Sequence, residues 1–234
     1  MVSGPLGDFR SCQLSVIIPS RTAANLIPCV EAVRRHEPEA RIVIVDDSPD
    51  LSLHPKPRWT PVIALEGVKP FIYARNCNLG IRAAGSDDVI LLNDDALLES
   101  AGGFTAMQRA GQLHPEYGVI GAVTNVTGQP LQRPHGIGLR EVPHIAFVCV
   151  LIPRRTIDRV GLLDERYCLD YGVEDLDYCE ASRRAGLKVG VFDHCYVDHG
   201  SLTSSFRGDP SNPRSFARNK ALFDAKWECL SMRG

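Results

Sequence analysis

The sequence predicts an α/β fold: a mainly parallel central sheet with helices on both faces. Three observations carry that reading. Short runs such as "LSVIIP", "RIVIVDDS" and "DVILLNDD" are apolar through their length and rich in β-branched residues, as strands buried on both faces are. Segments with helical spacing of apolar residues separate them, the alternation of a parallel sheet. Finally, polar or acidic residues stand at the carboxyl end of each run, where ligands bind in open sheets of this kind.

The elements follow in order. Residues 14–19 form a strand stopped by Pro19, and Leu26, Cys29, Val30 and Val33 recur at helical spacing, giving a helix over 23–36. "RIVIVDDS" is the second strand. Residues 49–60 hold three prolines and form a loop, and "PVIALE" is a short third strand. Ile72, Leu79 and Ala83 mark a helix closed by Gly85, and "DVILLNDD" is the next strand. Residues 97–114 are expected to be helical, "YGVIGAV" a strand, and 125–143, rich in Gly and Pro, a loop or hairpin. "HIAFVCVLIP" reads as one long strand before a short helix ending near Gly161. "EDLDYCEASRRAG" is a helix with acidic residues in its first turn and Gly186 at its end. "KVGVF" and "CYVDH" are two short strands. From Pro213 a last helix places Phe216, Phe223, Trp227 and Leu230 on one face.

Composition bounds the function. A chain of 234 residues builds one sizeable core, and 44% apolar with 23% charged residues is ordinary for a globular protein. The net charge of −2 and lack of a basic block give no non-specific grip on nucleic acid; "PRRTIDR" and "PRSFARNK" are the two places where a local basic patch could form. No apolar run approaches the roughly 18–20 residues of a membrane span. "MVSGPLGDFRSCQ" lacks the basic and apolar regions of a secretory signal. The eight cysteines include no C-x-x-C and are expected to be reduced, partly buried thiols. These features predict a cytoplasmic, reducing environment.

The chemistry lies in three clusters. The turn after the first strand, "PSRTAAN", has no glycine to cradle a pyrophosphate, and no G-x-x-x-x-G-K-[ST] occurs. Bound phosphates therefore need another counter-charge, and a divalent metal held by carboxylates supplies one. "NDD", Asn93 to Asp95, offers hard oxygen ligands for Mg²⁺ or Mn²⁺; alternatively Asp94 and Asp95 cap a helix beginning near Ala96. In "GLLDERYCLDYGVEDLDYCEASRRAG" the acidic residues Asp164, Glu165, Asp170, Glu174 and Asp175 are interleaved with Tyr167 and Tyr171. Asp175, at a helix start, is placed to be held ionised by the dipole as a general base, against the alternative of a solvated cap. In "DHCYVDHGS", His194 and His199 flank Cys195 and Asp198. No second Cys or His pair with zinc spacing follows, so a single histidine completing a carboxylate-bound metal fits better than structural zinc.

Taken in order, "VIIPSR", "IVDDS", "ARNCNLG", "LLNDD", "GLLDERYCLDYGVEDLDYCEASRRAG", "DHGSLTSSF" and the tail "ARNKALFDAKW" resemble the family 2 glycosyltransferases, especially their rhamnosyltransferase-like branch. The resemblance runs over about residues 14–228. It implies a GT-A fold, a Rossmann-like mainly parallel sheet with a smaller antiparallel acceptor-side portion. It implies one domain over residues 1–234: a nucleotide-sugar half at about 14–98, an acceptor half at about 99–205 and a helical tail at 206–234. The implied activity is metal-dependent hexosyl transfer with inversion, from a nucleoside-diphosphate sugar to an acceptor hydroxyl.

Position by position, the resemblance implies that Pro19, Ser20, Arg21, Asp46 and Asp47 border the nucleotide's base and ribose, and that Arg75 closes over base or phosphates. Asn93 and Asp94 touch ribose or sugar hydroxyls. Asp95 is the triplet's metal ligand and His199 the further one, with His194 its rival. Asp175 is the base, and Glu174 orients donor or acceptor. The aromatic residue common after the first strand is missing from "PSRT", and the triplet begins with Asn rather than Asp. UDP- or dTDP-sugars are the expected donors; a glycan, lipid-linked glycan, protein or modified nucleic-acid base could be the acceptor. Of other classes, a sugar-1-phosphate nucleotidyltransferase needs a Gly-rich, basic loop that "PSRTAANL" is not. A non-catalytic nucleotide- or glycan-binding module would not need Asp95, Asp175 and His199 together.

Overall fold

The computed structural model of the chain describes residues 13–48, 62–136, 138–167, 172–204 and 212–231. Its first half follows the expected alternation: β1 (Leu14–Ser20), α1 (Ala23–His36), β2 (Arg41–Asp46), β3 (Val62–Glu66), α2 (Tyr73–Ala83) and β4 (Asp88–Leu92). Then come β5 (Leu97–Leu98), α3 (Gly103–Leu113), β6 (Tyr117–Thr124), a single 3-10 turn (Pro130–Gln132) and β7 (Leu139–Glu141). The chain continues through β8 (Cys149–Ile152), α4 (Arg154–Val160), α5 (Glu174–Arg184), β9 (Lys188–Asp198) and α6 (Asn212–Ser231). The proline-rich loop expected at 49–60, Asp170 and Tyr171 lie outside the described residues.

The described strands join in one sheet in the order β3-β2-β1-β4-β8-β6-β9-β5, with β7 also paired to β9. β1 pairs in parallel with β2 and β4, and β2 with β3. β8 is antiparallel to both its neighbours, β4 and β6, while β6 and β9 are parallel again. β5, β7 and β8 therefore run against the other strands, and the sheet is mostly parallel in direction.

Side-chain alternation along the buried strands sends residues to two cores. Val16 and Ile18 of β1 pack with Leu26, Val30 and Val33 of α1 and with Phe104 and Met107 of α3. Ile17, with Val43 and Val45 of β2, faces the opposite side with Cys77 and Ile81 of α2, Ile157 of α4 and Tyr178 of α5. Burial on both faces explains why the strands read as continuous apolar runs. Gly85 and Gly186, past the ends of α2 and α5, take left-handed backbone at φ 66° and 78°, as helix stops do.

Four expectations are corrected. The segment 97–114 is not one helix: Leu97–Leu98 pairs with β9, and α3 starts only at Gly103. The apolar run 144–153 yields a strand over Cys149–Ile152 alone, because Asn93 and Asp175 take up backbone groups at 147 and 148. The two short strands near the end are one, β9, with a bulge where Ala122↔Phe192 is followed by Val123↔Tyr196. Within that bulge Asp193 turns to the His135 N–H at 2.7 Å and Arg140 at 3.2 Å. On α6 the inward face is Ser215, Asn219 and Trp227, and Phe216 is 42% exposed; the Leu230 side chain lies outside the described set.

Most of the first basic stretch is spent on backbone contacts, whereas Arg214 and Arg218 of the second are exposed on α6. Arg154 donates to the Asp87 and Ile81 carbonyls, and Arg155 to the carbonyls of Gly111 and Tyr117, tying α4 to the sheet's opposite end. Of the second stretch, Ser215 and Asn219 are buried and Lys220 pairs with Asp224 at 2.5 Å. Cys29, Cys77, Cys149, Cys179 and Cys195 are free and buried, in line with the reduced-thiol reading.

The closest helix–sheet approach is at Gly80, where an added Cβ would lie 2.3 Å from Ile17 Cγ2. Gly80→Ala should therefore lower unfolding stability by about 1–3 kcal/mol in urea titrations. Gly128→Ala, whose Cβ would meet nothing within 4 Å, should stay within roughly 0.5 kcal/mol of the parent.

Candidate active site

The carboxyl ends of β1, β2 and β4 meet at one rim. The Asp47 N–H donates to the Ser20 carbonyl at 2.8 Å, locking the residues after β2 against the end of β1. Asp46 closes its own turn by accepting from the Ser48 N–H at 2.9 Å. Asp47 is 2% exposed, with Arg21 3.9 Å from Oδ2 and Lys69 3.2 Å from Oδ1. Oδ1 is buried and accepts no hydrogen bond from the described residues, so this carboxylate is held near cations with an acceptor in reserve. Gly67 leaves room beside it: a Cβ there would come 2.9 Å from Oδ1. The Arg21 guanidinium lies 5.6 Å from the centre of the Phe71 ring, placing a cation–aromatic pair where "PSRT" lacks its aromatic. Lys69, which also donates to the Asp47 and Ser48 carbonyls, stands in no motif and was missed by sequence reasoning.

The acidic triplet follows β4. The Asn93 N–H donates to the Val148 carbonyl at 2.9 Å. Asp94 accepts from the Ser20 hydroxyl at 2.6 Å and also from the Asn25 side chain and the Arg21 N–H. Burial nevertheless pushes its carboxyl up to about 6, with Asp95 adding repulsion. No helix begins at Ala96, so these acids cap nothing; their cost is borne for another reason.

Asp95 is 4% exposed and meets His199, itself 9% exposed. The pairing Leu97↔Asp198 between β5 and β9 sets the two side by side. His199 is held on two sides: its N–H donates to Asn125 Oδ1 at 2.9 Å and its Nδ1 to the Val126 carbonyl at 2.8 Å. Because a carbonyl only accepts, Nδ1 carries a proton, and in the neutral ring Nε2 presents a lone pair to Asp95 Oδ1 at 3.1 Å. Two acceptors so placed require a proton or a cation between them. Asn125 in turn donates to Asp198 at 2.7 Å. His194 takes no part: it is exposed in the β9 bulge, edge-on to Phe192 with ring centres 5.4 Å apart.

Across the rim, α5 begins with Glu174 and Asp175. Glu174 folds back so that Oε2 accepts from the Val173 N–H at 2.9 Å, in space that any side chain at Gly172 would fill. Asp175 accepts from the Leu176 N–H at 2.7 Å and from the Phe147 N–H. Phe147 and Val148 thus link the base candidate to the triplet through adjacent peptide groups. Burial raises both carboxyls, and Glu174's charge adds to it, pushing Asp175 up to about 7. The helix start was expected to hold Asp175 ionised; desolvation outweighs the dipole, leaving it poised near neutrality. Arg75, in the first turn of α2, is joined to Glu165 at 3.8 Å rather than to the rim residues.

With this geometry, residues 15–159 match the model of glycosyl transferase family 2. The chain belongs to that family. No curated protein matches it. Among solved structures it is similar to GalNAc-T7, crystallised with UDP, GalNAc and Mn²⁺, with a TM-score of 0.70 and 15% identity over 91% of this chain. It is also similar to S. aureus TarS, with a TM-score of 0.65 and 14% identity over 92% of this chain. The chain spans 48% and 39% of those two chains, respectively. At such identities the likeness establishes the GT-A fold. Asp175 and His199 lie beyond the family-matched stretch.

In this family 2 chain the third acid of "EDLD", Asp177, is built into the scaffold. It is 3% exposed and accepts from Tyr167 Oη at 2.8 Å, Trp227 Nε1 at 2.9 Å and Lys226 Nζ at 2.7 Å. Lys226 also reaches Asp164 at 3.0 Å, and Arg166 with it holds the Asp164 carboxyl well below the usual range. The tail helix is clasped in this way to the helix that begins with Asp175. Sequence reasoning passed over Asp177 because two of its three partners, Lys226 and Trp227, lie 49 and 50 residues away. Asp177→Ala would strand the Tyr167 hydroxyl and the indole N–H and leave Lys226 to Asp164 alone, so equilibrium denaturation should show a loss of roughly 3 kcal/mol.

Proposed function

We propose that the chain is a metal-dependent, inverting glycosyltransferase that moves a hexosyl group from a nucleoside-diphosphate sugar to an acceptor hydroxyl. The observation that carries this reading is the facing pair Asp95 Oδ1 and His199 Nε2, 3.1 Å apart, with the ring's other nitrogen committed to Val126. A carboxylate oxygen and an oriented imidazole nitrogen suit Mn²⁺ or Mg²⁺. Among the described residues no third His, Cys, Asp or Glu joins them, which fits a cation that draws its remaining ligands from diphosphate oxygens and water. When bound, the ion would neutralise charge growing on the departing diphosphate.

The chain's own groups account for the other roles. Asp47 Oδ1, buried and ion-paired to Lys69 without a directed hydrogen bond, is suited to accept an N–H of a pyrimidine base, and Arg21 on Phe71 to supply the flat surface beside it. That favours UDP- or dTDP-sugars. Ser20 holds Asp94, which with Asn93 would face ribose or sugar hydroxyls. Asp175 would take the proton of the acceptor hydroxyl, and Glu174, turned to the helix start, would keep that carboxyl's affinity high. One base opposite the leaving group implies displacement with inversion. The ordered motifs and the closing helix support the rhamnosyltransferase-like branch.

Isothermal titration with UDP, dTDP and GDP, each with Mn²⁺, tests the reading. At least one nucleotide should bind only with the metal, and Asp95→Ala should weaken that binding by about 10–100-fold or more. Equal binding in the presence of a chelator would sink the metal assignment. Asp175→Asn should keep nucleotide binding and lose transfer by roughly 10²–10⁴-fold. The groups acting on Asp175 are Glu174 on its own helix, Tyr73 of α2 and Cys179 one turn on. A base acts ionised, so with its carboxyl raised to about 7, kcat/KM should climb as pH rises through that value and then level. A profile already flat above pH 5 would move the base elsewhere.

A further inference from the structure

Beside the rim, α5 and α6 enclose an open cavity of about 260 Å³, lined by Gln129, Pro143, His144, Leu176, Glu180, Arg183 and Phe223. Each lining segment also holds part of the candidate active site. Gln129 follows by three residues the carbonyl of Val126 that accepts from His199. Pro143 and His144 lead into Phe147, whose N–H donates to Asp175. Leu176 is the residue after Asp175, and Phe223 comes from the helix clasped to α5 through Asp177.

The lining has a distinct chemistry. Phe223, Pro143 and Leu176 give an apolar floor, with the Phe223 ring fixed edge-on to Trp227 at 6.4 Å. Around it stand planar hydrogen-bonding groups: Gln129 Oε1 and His144 Nε2 lie 2.9 Å apart, and Glu180 pairs with Arg183 at 3.2 Å and Arg184 at 2.7 Å. Glu180 offsets Arg183, and Arg184 lies back against the Trp227 ring, so the lining itself carries no net charge to offer a phosphate or a carboxylate. A neutral ligand with one apolar face and a hydroxylated edge matches this lining, as the C–H face of a pyranose does against an aromatic ring.

We infer that this groove between α5 and α6 holds a neutral pyranose ring of the acceptor, so that the acceptor is a glycan or glycoside. The inference rests on the transferase reading and specifies its acceptor class. Occupation here would present the next hydroxyl of the acceptor toward the start of α5. It also gives the clasped tail helix a task, that of carrying Phe223 to the groove.

Saturation-transfer-difference NMR on the full chain tests it, with methyl glycosides of glucose, galactose, mannose, rhamnose and N-acetylglucosamine as probes. At least one should bind, and Phe223→Ala and Gln129→Ala should each weaken it by about tenfold. The Mn²⁺-dependent affinity for UDP or dTDP should change less than twofold. Gln129→Ala lies in a loop, so it serves if Phe223→Ala fails to fold by circular dichroism. No glycoside binding, or binding indifferent to both variants, overturns the inference. If a glycoside binds through these residues while no nucleotide binds at all, the groove stands and the transferase reading fails.

Discussion

The confrontation of Asp95 with His199 is the constraint around which the rim is organised. Asp95 is buried and Asp94 partly so; side by side at a strand end they repel each other, and nothing in local folding compensates them. The fold meets that cost with directed contacts: Ser20, Asn25 and the Arg21 N–H for Asp94, and His199 for Asp95. The histidine is in turn locked by Asn125 and Val126, and Asn125 by Asp198. A chain of oriented groups so extended fixes which nitrogen carries the proton and where the other points.

The same rim separates two kinds of carboxylate by environment. Asp47 lies between two cations, whereas Asp175 is raised by burial and by Glu174. One is held beside cations, and the other is poised to exchange a proton near neutrality. Their division of labour follows from surroundings rather than residue type.

Much of this was legible before the fold was known, and the reason is physical. Strands buried on both faces leave an unbroken apolar signature, and the polar residues that stop them mark the ligand-binding rim. Ser20, Asp47, Asp94 and Asp95 were found in that way. What escaped depends on partners distant in sequence. Leu97 and Leu98 continued a plausible helical period, so the two-residue strand that seats Asp95 beside His199 was hidden. Lys69 and Asn125 stand in no motif, and Asp177 stands in "EDLD" without a role readable there; their roles appear only when β2, β9 and α6 arrive next to them. The inward face of α6 was misjudged because Phe216 seemed a better anchor than Ser215 or Asn219, yet hydrogen bonding and the indole of Trp227 decide that packing. For Asp175, the helix terminus was visible in the sequence but its burial was not.

The reversed strand β8 has a topological consequence. A parallel strand delivers only its carboxyl end to the rim, but β8, running the other way, delivers its beginning, with Cys149 opposite Leu92. The stretch from the end of β6 to the start of β8 therefore leaves and returns at the same edge, like a handle with both roots in the sheet. Its roots supply Val126 to His199 and Phe147 to Asp175, while its span supplies Gln129, Pro143 and His144. Between its roots the span is pinned to the sheet again, by β7 against β9 and by the buried Gln132 and Ile145. On the proposed reading, acceptor choice is carried largely by this one segment, apart from the strand ends proposed to meet the nucleotide.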